Sequence, residues 1–372
     1  MSKYKVCVYA ICKNEEKFVK QWVASMSEAD EIVVLDTGST DNTVEELKNA
    51  GVKVYQKIFD PWRFDHARNC SLDLVDKNAD ICVCTDLDER FEKGWREKLE
   101  NAWQPDTRRA RYRYTWNFND DGSEGCVFWL DKIHSRKGFV WENPVHEVLA
   151  YQDSTPCNTV FAEGIQLNHY ADVTKSRAQY LPLLELAVNE NPHNDRNVHY
   201  LGREYMFKGM WDKCIETLTH HLSMPEAVWK DERCASMRFI ARAYNAKGDR
   251  QSAKCWYYKA VAEAPYLREP YVELALMLYD DKNWYGVLYF INQALQISER
   301  PKTYINDASA WGSRPYDLAS LGYYYTGDYD NALKAVEKAI ELSPRDTRLA
   351  DNKKIIINKL NAKKGNKKEQ VV

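Results

Sequence analysis

The sequence predicts a Rossmann-like α/β mixed-sheet domain over residues 1–171, an all-α helical repeat domain over 172–362 and a disordered tail over 363–372. Three observations carry this expectation. Up to about residue 104, apolar strand-like runs alternate with amphipathic stretches, the pattern of a parallel sheet covered on both faces. From about 108 to 170, strand-like runs follow one another without helices between them. Beyond about 172, a self-similar helical line recurs, the signature of stacked repeats.

Taken in order, KVCVYAICK predicts the first strand. Glu15 to Ser27 predicts a helix, with Phe18, Val19, Trp22, Val23 and Met26 on one face. EIVVLD is the second strand, and Asp41 or Asn42 caps the helix VEELKNA. VKVYQKI is the third strand, HARNCSLDLVDKN a helix, and DICVCTDLD the fourth strand. Ligands of open α/β sheets bind beyond the carboxyl ends of the strands. Asp36 and the Asp86/Asp88 pair are therefore expected to converge on one cleft. RRARYRYTWNFND, GCVFWLDKIHS, HEVLAYQ and TVFAEGIQLNHY predict an antiparallel extension of the same domain. The turn Asp120-Asp121-Gly122-Ser123 predicts a hairpin within it.

The repeat shows in LGREYMFKGMWDKCIETLTHHL, IARAYNAKGDRQSAKCWYYKAVAEAP and LASLGYYYTGDYDNALKAVEKAIELSP. Each places a Tyr four residues before a Gly: Tyr205/Gly209, Tyr244/Gly248 and Tyr323/Gly327. A degenerate copy, LALMLYDDKNWYGVLYFINQAL, has Lys282 in the Gly position. The Gly ends one helix, and Pro265 and Pro344 stop the second helix of two copies. SERPKTYINDASAWGSRPYD reads as an insertion before the last copy.

The bulk numbers bound the function. The chain has 372 residues, enough for two domains. A net charge of −3 supplies no basic field for nucleic acid or an anionic membrane. No run is long and apolar enough to span a bilayer, and the N-terminus lacks a signal-peptide pattern. Ten scattered Cys, among them Cys7, Cys12, Cys82 and Cys84 in apolar runs, read as buried hydrophobes of a reducing compartment. A cytoplasmic location is therefore expected. There is no Cys-x-x-Cys pair from which to build a zinc site.

Asp86 and Asp88 close an apolar run, two residues apart and so on one face of a strand. Two like charges there call for a cation, and Mg²⁺ takes one or two carboxylates together with substrate phosphates. Three further segments join this pair in CTDLDE: AICKNEE with Asn14 and Glu15, VVLDTGSTDNT with Asp36 and Gly38, and PWRFDHARN with Arg68. In this order and spacing they resemble the family 2 glycosyltransferases, strongly over residues 6–90 and more weakly over 110–170. The resemblance implies a GT-A fold, a nucleotide-sugar donor such as a UDP-sugar, and inversion at the anomeric carbon. It implies that Asp36 contacts the base, that Asp88 is the direct Mg²⁺ or Mn²⁺ ligand, and that Asp86 reaches the metal through water or touches the donor. On the residue chemistry, Asn14, Glu15 and Gly38 join the donor-binding set, and Arg68 balances the diphosphate. The resemblance also implies an acidic residue well after this motif, for which WENPVHE offers His146 and Glu147 as acid–base residues, with Glu142 an alternative, and a late His completing the metal shell, for which LNHY offers His169. Trp62, Trp116 and Trp141 are candidates to stack on sugar faces or to serve as core aromatics.

The repeats resemble tetratricopeptide repeats, whose concave faces bind partners. The layout is similar to that of bacterial enzymes that S-glycosylate bacteriocin precursor peptides. The acceptor is thus expected to be a peptide Cys or Ser, with polysaccharide or lipid-linked glycan as the alternative; a homodimer is compatible with either. A non-catalytic repeat adaptor would be expected to have lost Asp36, Asp86 or Asp88. A sugar-nucleotide pyrophosphorylase would need a Gly-rich, Arg-containing loop where AICKNEE stands.

Overall fold

The structure, a computed structural model, describes residues 3–369 except 120, 121, 173 and 176, with 364–369 described in their backbone only. The chain forms two compact units. One is Met1–Glu190 with Lys302–Tyr304; the other is Asn191–Pro301 with Ile305–Val372.

The first unit opens β1 (Val6–Cys12), α1 (Glu16–Met26), β2 (Glu31–Asp36), α2 (Thr43–Asn49), β3 (Lys53–Gln56), α3 (Phe64–Asp73) and β4 (Ile81–Cys84). It continues through β5 (Glu89–Phe91), α4 (Trp95–Ala102), β6 (Arg109–Thr115), β7 (Val127–Ser135), β8 (Phe139–Glu142), β9 (Val148–Tyr151), β10 (Thr159–His169) and α5 (Tyr180–Glu190). One eight-stranded sheet runs β3-β2-β1-β4-β7-β6-β10-β5, and β8 and β9 form a separate hairpin. The first four strands are parallel, as expected from the alternation. Strand β4 is flanked by parallel β1 and antiparallel β7. The extension differs from expectation in one pairing: β10 runs parallel to β6. The β8–β9 hairpin lies between β7 and β10 in the chain, and such a long connection lets a strand return in parallel. Strands β6 and β7 do form the expected antiparallel pair, although Asp120 and Asp121 of the predicted turn lie outside the described residues.

Alternation along β1 and β4 sorts their side chains between two cores. Val6, Val8 and Ala10 join Ile81 and Val83 in a cluster with Trp22, Met26, Trp95 and Tyr112. Cys7 and Tyr9 join Cys82 and Cys84 against Leu72, Trp141 and Leu149 on the other face. The thiols are therefore packing groups, and burial pushes Cys7 up to about 12 and Cys84 up to about 11.

The first unit runs past residue 171 because α5 packs onto it. Tyr180 meets Phe64 edge-on with centroids 6.1 Å apart, and Glu190 pairs with Arg63 at 2.5 Å.

In the second unit the helices come in pairs: α6 (Asp195–Phe207) with α7 (Trp211–Ser223), α8 (Lys230–Ala246) with α9 (Arg250–Glu263), and α10 (Glu269–Asp280) with α11 (Trp284–Gln296). The insertion, with a short 3₁₀ turn at Ala308–Ala310, precedes α12 (Arg314–Tyr325), α13 (Tyr329–Leu342) and α14 (Thr347–Glu369). Gly209, Gly248 and Gly327 end the first helix of three pairs at φ of 71°, 84° and 81°, and Lys282 takes the same left-handed position at 56°. Gly202 lets α6 and α7 approach closely, because a Cβ there would lie 2.3 Å from Leu218 Cδ2. The tail expected to be disordered from 363 instead continues α14 to Glu369; Lys363 donates to the Gly327 carbonyl, and 370–372 lie outside the described residues. No helix among the described residues is long and apolar enough to cross a membrane.

Candidate active site

The segment Thr85–Asp88 leaves the end of β4 as a turn rather than as strand, so alternation is not what aligns Asp86 and Asp88. Leu87 between them is 1% exposed and anchors the turn in the core. Thr85 Oγ1 accepts from Trp22 Nε1 at 3.1 Å. Glu89 folds back so that Oε2 accepts from the Asp86 amide at 2.9 Å, while Oε1 accepts from the Tyr114 hydroxyl at 2.8 Å. Burial raises the Glu89 carboxyl above its ordinary range.

The two aspartates then part company. Asp86 Oδ1 accepts from Arg68 Nη2 at 2.5 Å, and Oδ2 lies 3.4 Å from Lys132 Nζ. Burial pushes its carboxyl up, but the two cations outweigh that and hold it well below the carboxylate range. The like-charge cost expected from sequence is thus met for Asp86 by side chains. Asp88 faces His169 instead, with Oδ2 3.3 Å from Nε2. His169 Nδ1 lies 2.7 Å from the Trp116 carbonyl, which can only accept, so in the neutral ring Nδ1 carries the proton and Nε2 is a lone pair. The ring also stacks on Trp116 at 4.5 Å. Burial pushes the imidazole down, but the Asp88 carboxylate outweighs it and lifts His169 above its usual value. Register explains the meeting, since His169 is the last residue of β10 and pairs with Glu89 of β5. One carboxylate oxygen beside one tied imidazole fits a divalent cation, Mn²⁺ better than oxygen-preferring Mg²⁺.

Arg68 was expected to face a diphosphate. It is 2% exposed and engaged inside: beyond Asp86, Nε donates to Glu147 Oε1 at 3.1 Å, and Nη1 reaches Cys84 Sγ at 3.4 Å and the Thr85 carbonyl at 3.5 Å. It ties the end of β4 to the loop after β8. That loop holds Asn143 and His146 at φ of 79° and 51°, left-handed backbone that non-Gly residues rarely adopt. His146 meets the Tyr180 ring at 5.7 Å, and Asn69 pins the neighbouring backbone by accepting from Trp141 N and donating to Trp141 O, both at 2.8 Å. Glu142 sits apart, accepting from Gln152 Nε2 at 3.0 Å.

At the end of β2, Asp36 has no exposed surface. Its oxygens accept from the Gly38 and Ser39 amides at 3.1–3.2 Å and from Gln56 Nε2 at 3.3 Å, so the carboxylate shapes the loop beside the strand end. Gly38, at φ 111°, is where that loop needs glycine. Asn14 joins β1 to the same loop: Oδ1 accepts from the Thr40 amide at 2.7 Å and its own amide donates to Ser39 Oγ at 2.8 Å. Glu15 is buried; Oε1 pairs with Lys175, and Oε2 has no hydrogen-bond partner. Burial, opposed by Lys175, raises its carboxyl to about 7.

Trp141 and Trp62 belong to the core. The Trp141 indole donates to the Tyr9 hydroxyl at 2.9 Å, and Trp62 lies edge-on between Phe59 and Phe64. Trp116, 42% exposed, remains a surface on which a ring can stack. Lys132, Glu89 and Lys175 were not singled out from sequence. The one available signal was a Lys two residues past the apolar stretch Val127–Leu130 of β7.

Residues 7–148 match the profile of the family described as Glycosyl transferase family 2, and 315–346 match that described as Tetratricopeptide repeat. The lipopolysaccharide core biosynthesis glycosyltransferase LpsC of Rhizobium meliloti (strain 1021) is 33% identical over 100 residues, 26% of this chain. The chain matches 36% of that relative's length. Among solved structures, the C-terminal part of a TPR repeat-containing protein from Cytophaga hutchinsonii aligns over 50% of this chain and 67% of its own, at 13% identity and a TM-score of 0.41. Pseudomonas aeruginosa PilF aligns over 46% and 70%, at 13% identity and a TM-score of 0.37. One chain thus carries a family 2 glycosyl transferase domain followed by a tetratricopeptide repeat.

Proposed function

We propose that this chain is an inverting glycosyltransferase that moves a sugar from a nucleotide donor, a UDP-sugar, with the help of Mn²⁺ or Mg²⁺. The observation that carries this reading is the Asp88–His169 pair, 3.3 Å apart beyond the end of β4, with the imidazole tied through Nδ1. A bound ion there would offset the charge of the departing nucleoside diphosphate. The chain's own groups do the rest. Asp36, Gly38 and Asn14 shape the loop that receives the nucleoside, and Glu15, whose Oε2 has no hydrogen-bond partner, is the acceptor for a donor hydroxyl. Arg68 holds Asp86 and Glu147 in place, and Lys132, 3.4 Å from Asp86, is the cation offered to phosphate. Glu147, whose Oε1 is held by Arg68, takes the acceptor's proton through Oε2, with His146 in the adjoining left-handed position as the second candidate.

Two acceptor classes have support. The tetratricopeptide unit favours a peptide Cys or Ser. The name of the Rhizobium relative favours a saccharide. The ten cysteines are free thiols, which accords with a reducing cytoplasm. A panel of nucleotide sugars, read by nucleotide release with and without excess EDTA, tests the donor and metal roles. One UDP-sugar should turn over with Mn²⁺ and fall to background with EDTA or in Asp88→Ala. Equal turnover with EDTA or in Asp88→Ala would remove the metal role, and no release from any donor would leave a non-catalytic adaptor. Peptide and oligosaccharide acceptors, read by intact mass, separate the two classes.

A further inference from the structure

Trp116 is an exposed indole beside the candidate cation pair. Strands β6 and β10 run in parallel register with Thr115 opposite Asn168, so the residues that follow, Trp116 and His169, meet side by side. The indole stacks on the imidazole with centroids 4.5 Å apart and planes at 28°. Tyr114 meets the indole at a tilt, 6.2 Å away. Trp116 is still 42% exposed.

A second aromatic stack adjoins the first. Phe118, two residues on, lies over Tyr170 with centroids 5.6 Å apart and planes at 17°. Tyr170 is 39% exposed, and its amide donates to the Asp88 carbonyl at 2.8 Å, which fixes this stack to the turn that holds Asp88. Backbone contacts set the loop that presents Trp116 and Phe118. The Trp116 amide donates to the Cys126 carbonyl at 2.9 Å, and Asn117 Oδ1 accepts from the Cys126 amide at 2.9 Å. The side chains of Asn117 and Asn119, both neutral amides, are exposed beside the rings.

Leaving two large rings in water forgoes the stabilisation that burial would give them. The tautomer of His169 does not require it, because the Trp116 carbonyl, a backbone group, holds Nδ1. Flat apolar faces with polar groups at the rim suit one ligand chemistry well. A pyranose ring carries C–H groups on a face and hydroxyls around its edge. An extended peptide would call instead for a free strand edge or for side-chain pockets.

We propose that Trp116, flanked by Tyr170, is the platform on which a pyranose ring of the acceptor rests, so that the acceptor is a saccharide. The proposal rests on the transferase reading of the Asp88–His169 pair. A sugar lying on Trp116 is beside that imidazole, and its hydroxyl is brought close to the sugar being transferred. Trp116 acts by positioning.

The test uses the full-length chain with a panel of unmodified oligosaccharides and Cys- or Ser-containing peptides. Binding is read by saturation-transfer NMR, which needs neither donor nor metal. At least one oligosaccharide should bind, and Trp116→Ala should weaken it about tenfold. Trp116→Tyr keeps a ring against His169 and should recover most of that loss. Tyr170→Ala, which leaves the Trp116 ring in place, should weaken the same oligosaccharide about threefold. In transfer assays with that oligosaccharide, Trp116→Ala should raise the acceptor KM more than the donor KM. No oligosaccharide binding, binding of peptides alone, or binding undiminished in Trp116→Ala overturns the proposal. A donor KM raised as much as the acceptor KM also overturns it, and would put the indole against the transferred sugar. Failure of every donor to release nucleotide would sink the transferase reading instead, and leaves the NMR result to be read by itself.

Discussion

Replacing Arg68 by Met is the sharpest probe of the first unit. The guanidinium is 2% exposed and spans Asp86 at 2.5 Å and Glu147 at 3.1 Å. Methionine keeps an unbranched apolar stem near Trp141, whose ring the guanidinium now overlies at 5.6 Å. What is lost is the charge shared by two carboxylates. Asp86 retains Lys132 at 3.4 Å, but Glu147 loses its cation. Removing one partner of a buried pair costs about 3–5 kcal/mol. The Asp86 side chain is still 35% exposed, and water screens it, so the expected cost lies near about 3 kcal/mol. At about 1.4 kcal/mol per decade this is roughly a hundredfold in a local opening equilibrium. Native-state hydrogen exchange, read by mass spectrometry on peptides covering α3 and β4, should show amides exchanging about a hundredfold faster. Arg68→Lys, with one charge that cannot span both carboxylates, should fall between. Exchange within about threefold of wild type, together with a raised donor KM, would refute this reasoning and return Arg68 to the diphosphate.

Three further outcomes are expected. Glu15 has its folded carboxyl raised to about 7 from 4.5, so its contribution to stability is fully present below 4.5 and is lost as pH rises through 7. Between pH 5 and 8 the loss is about 2.5 kcal/mol, and Glu15→Gln should flatten that slope in urea denaturation; parallel wild-type and variant profiles would contradict it. Gly202→Ala should destabilise the repeat unit by about 1–3 kcal/mol in thermal melts, overpacking against Leu218 outweighing the roughly 1 kcal/mol gained in helix propensity; an unchanged or higher melting temperature would count against the close approach of α6 and α7. Tyr9→Phe removes a buried hydroxyl that receives the Trp141 indole N–H at 2.9 Å and lies 2.8 Å from His134 Nε2. It should cost about 1–3 kcal/mol, seen as a lower urea midpoint, and no shift would mean that the hydroxyl carries little.

Local pattern made much of this protein legible. The apolar runs of β1, β2 and β4 lie where composition placed them, because a central parallel strand must be apolar on both faces. Lys282 in the glycine position was readable from the repeat spacing and takes the left-handed turn of its three counterparts. Short β5 and β8 were not readable, since three or four residues carry no periodic signal. The partners of Arg68 were equally hidden: ion pairs made 18 and 79 residues along the chain leave no trace in either neighbourhood. Asp36 shows the limit from the other side. Sequence placed it at the end of β2, but whether its oxygens meet a ligand or the amides of its own loop depends on how that loop closes.

His169 ends β10, the last strand of the sheet in chain order, yet it faces Asp88 in the turn after the fourth. During synthesis, the early strands, Asp86 and Arg68 all emerge well before the imidazole that joins Asp88. A nascent chain halted before residue 169 therefore carries much of the sheet but only half of the candidate cation pair. On the proposed metal reading, cation binding at that site would report completion of the sheet: arrested chains of increasing length should gain it in a single step as β10 docks beside β5 and β6.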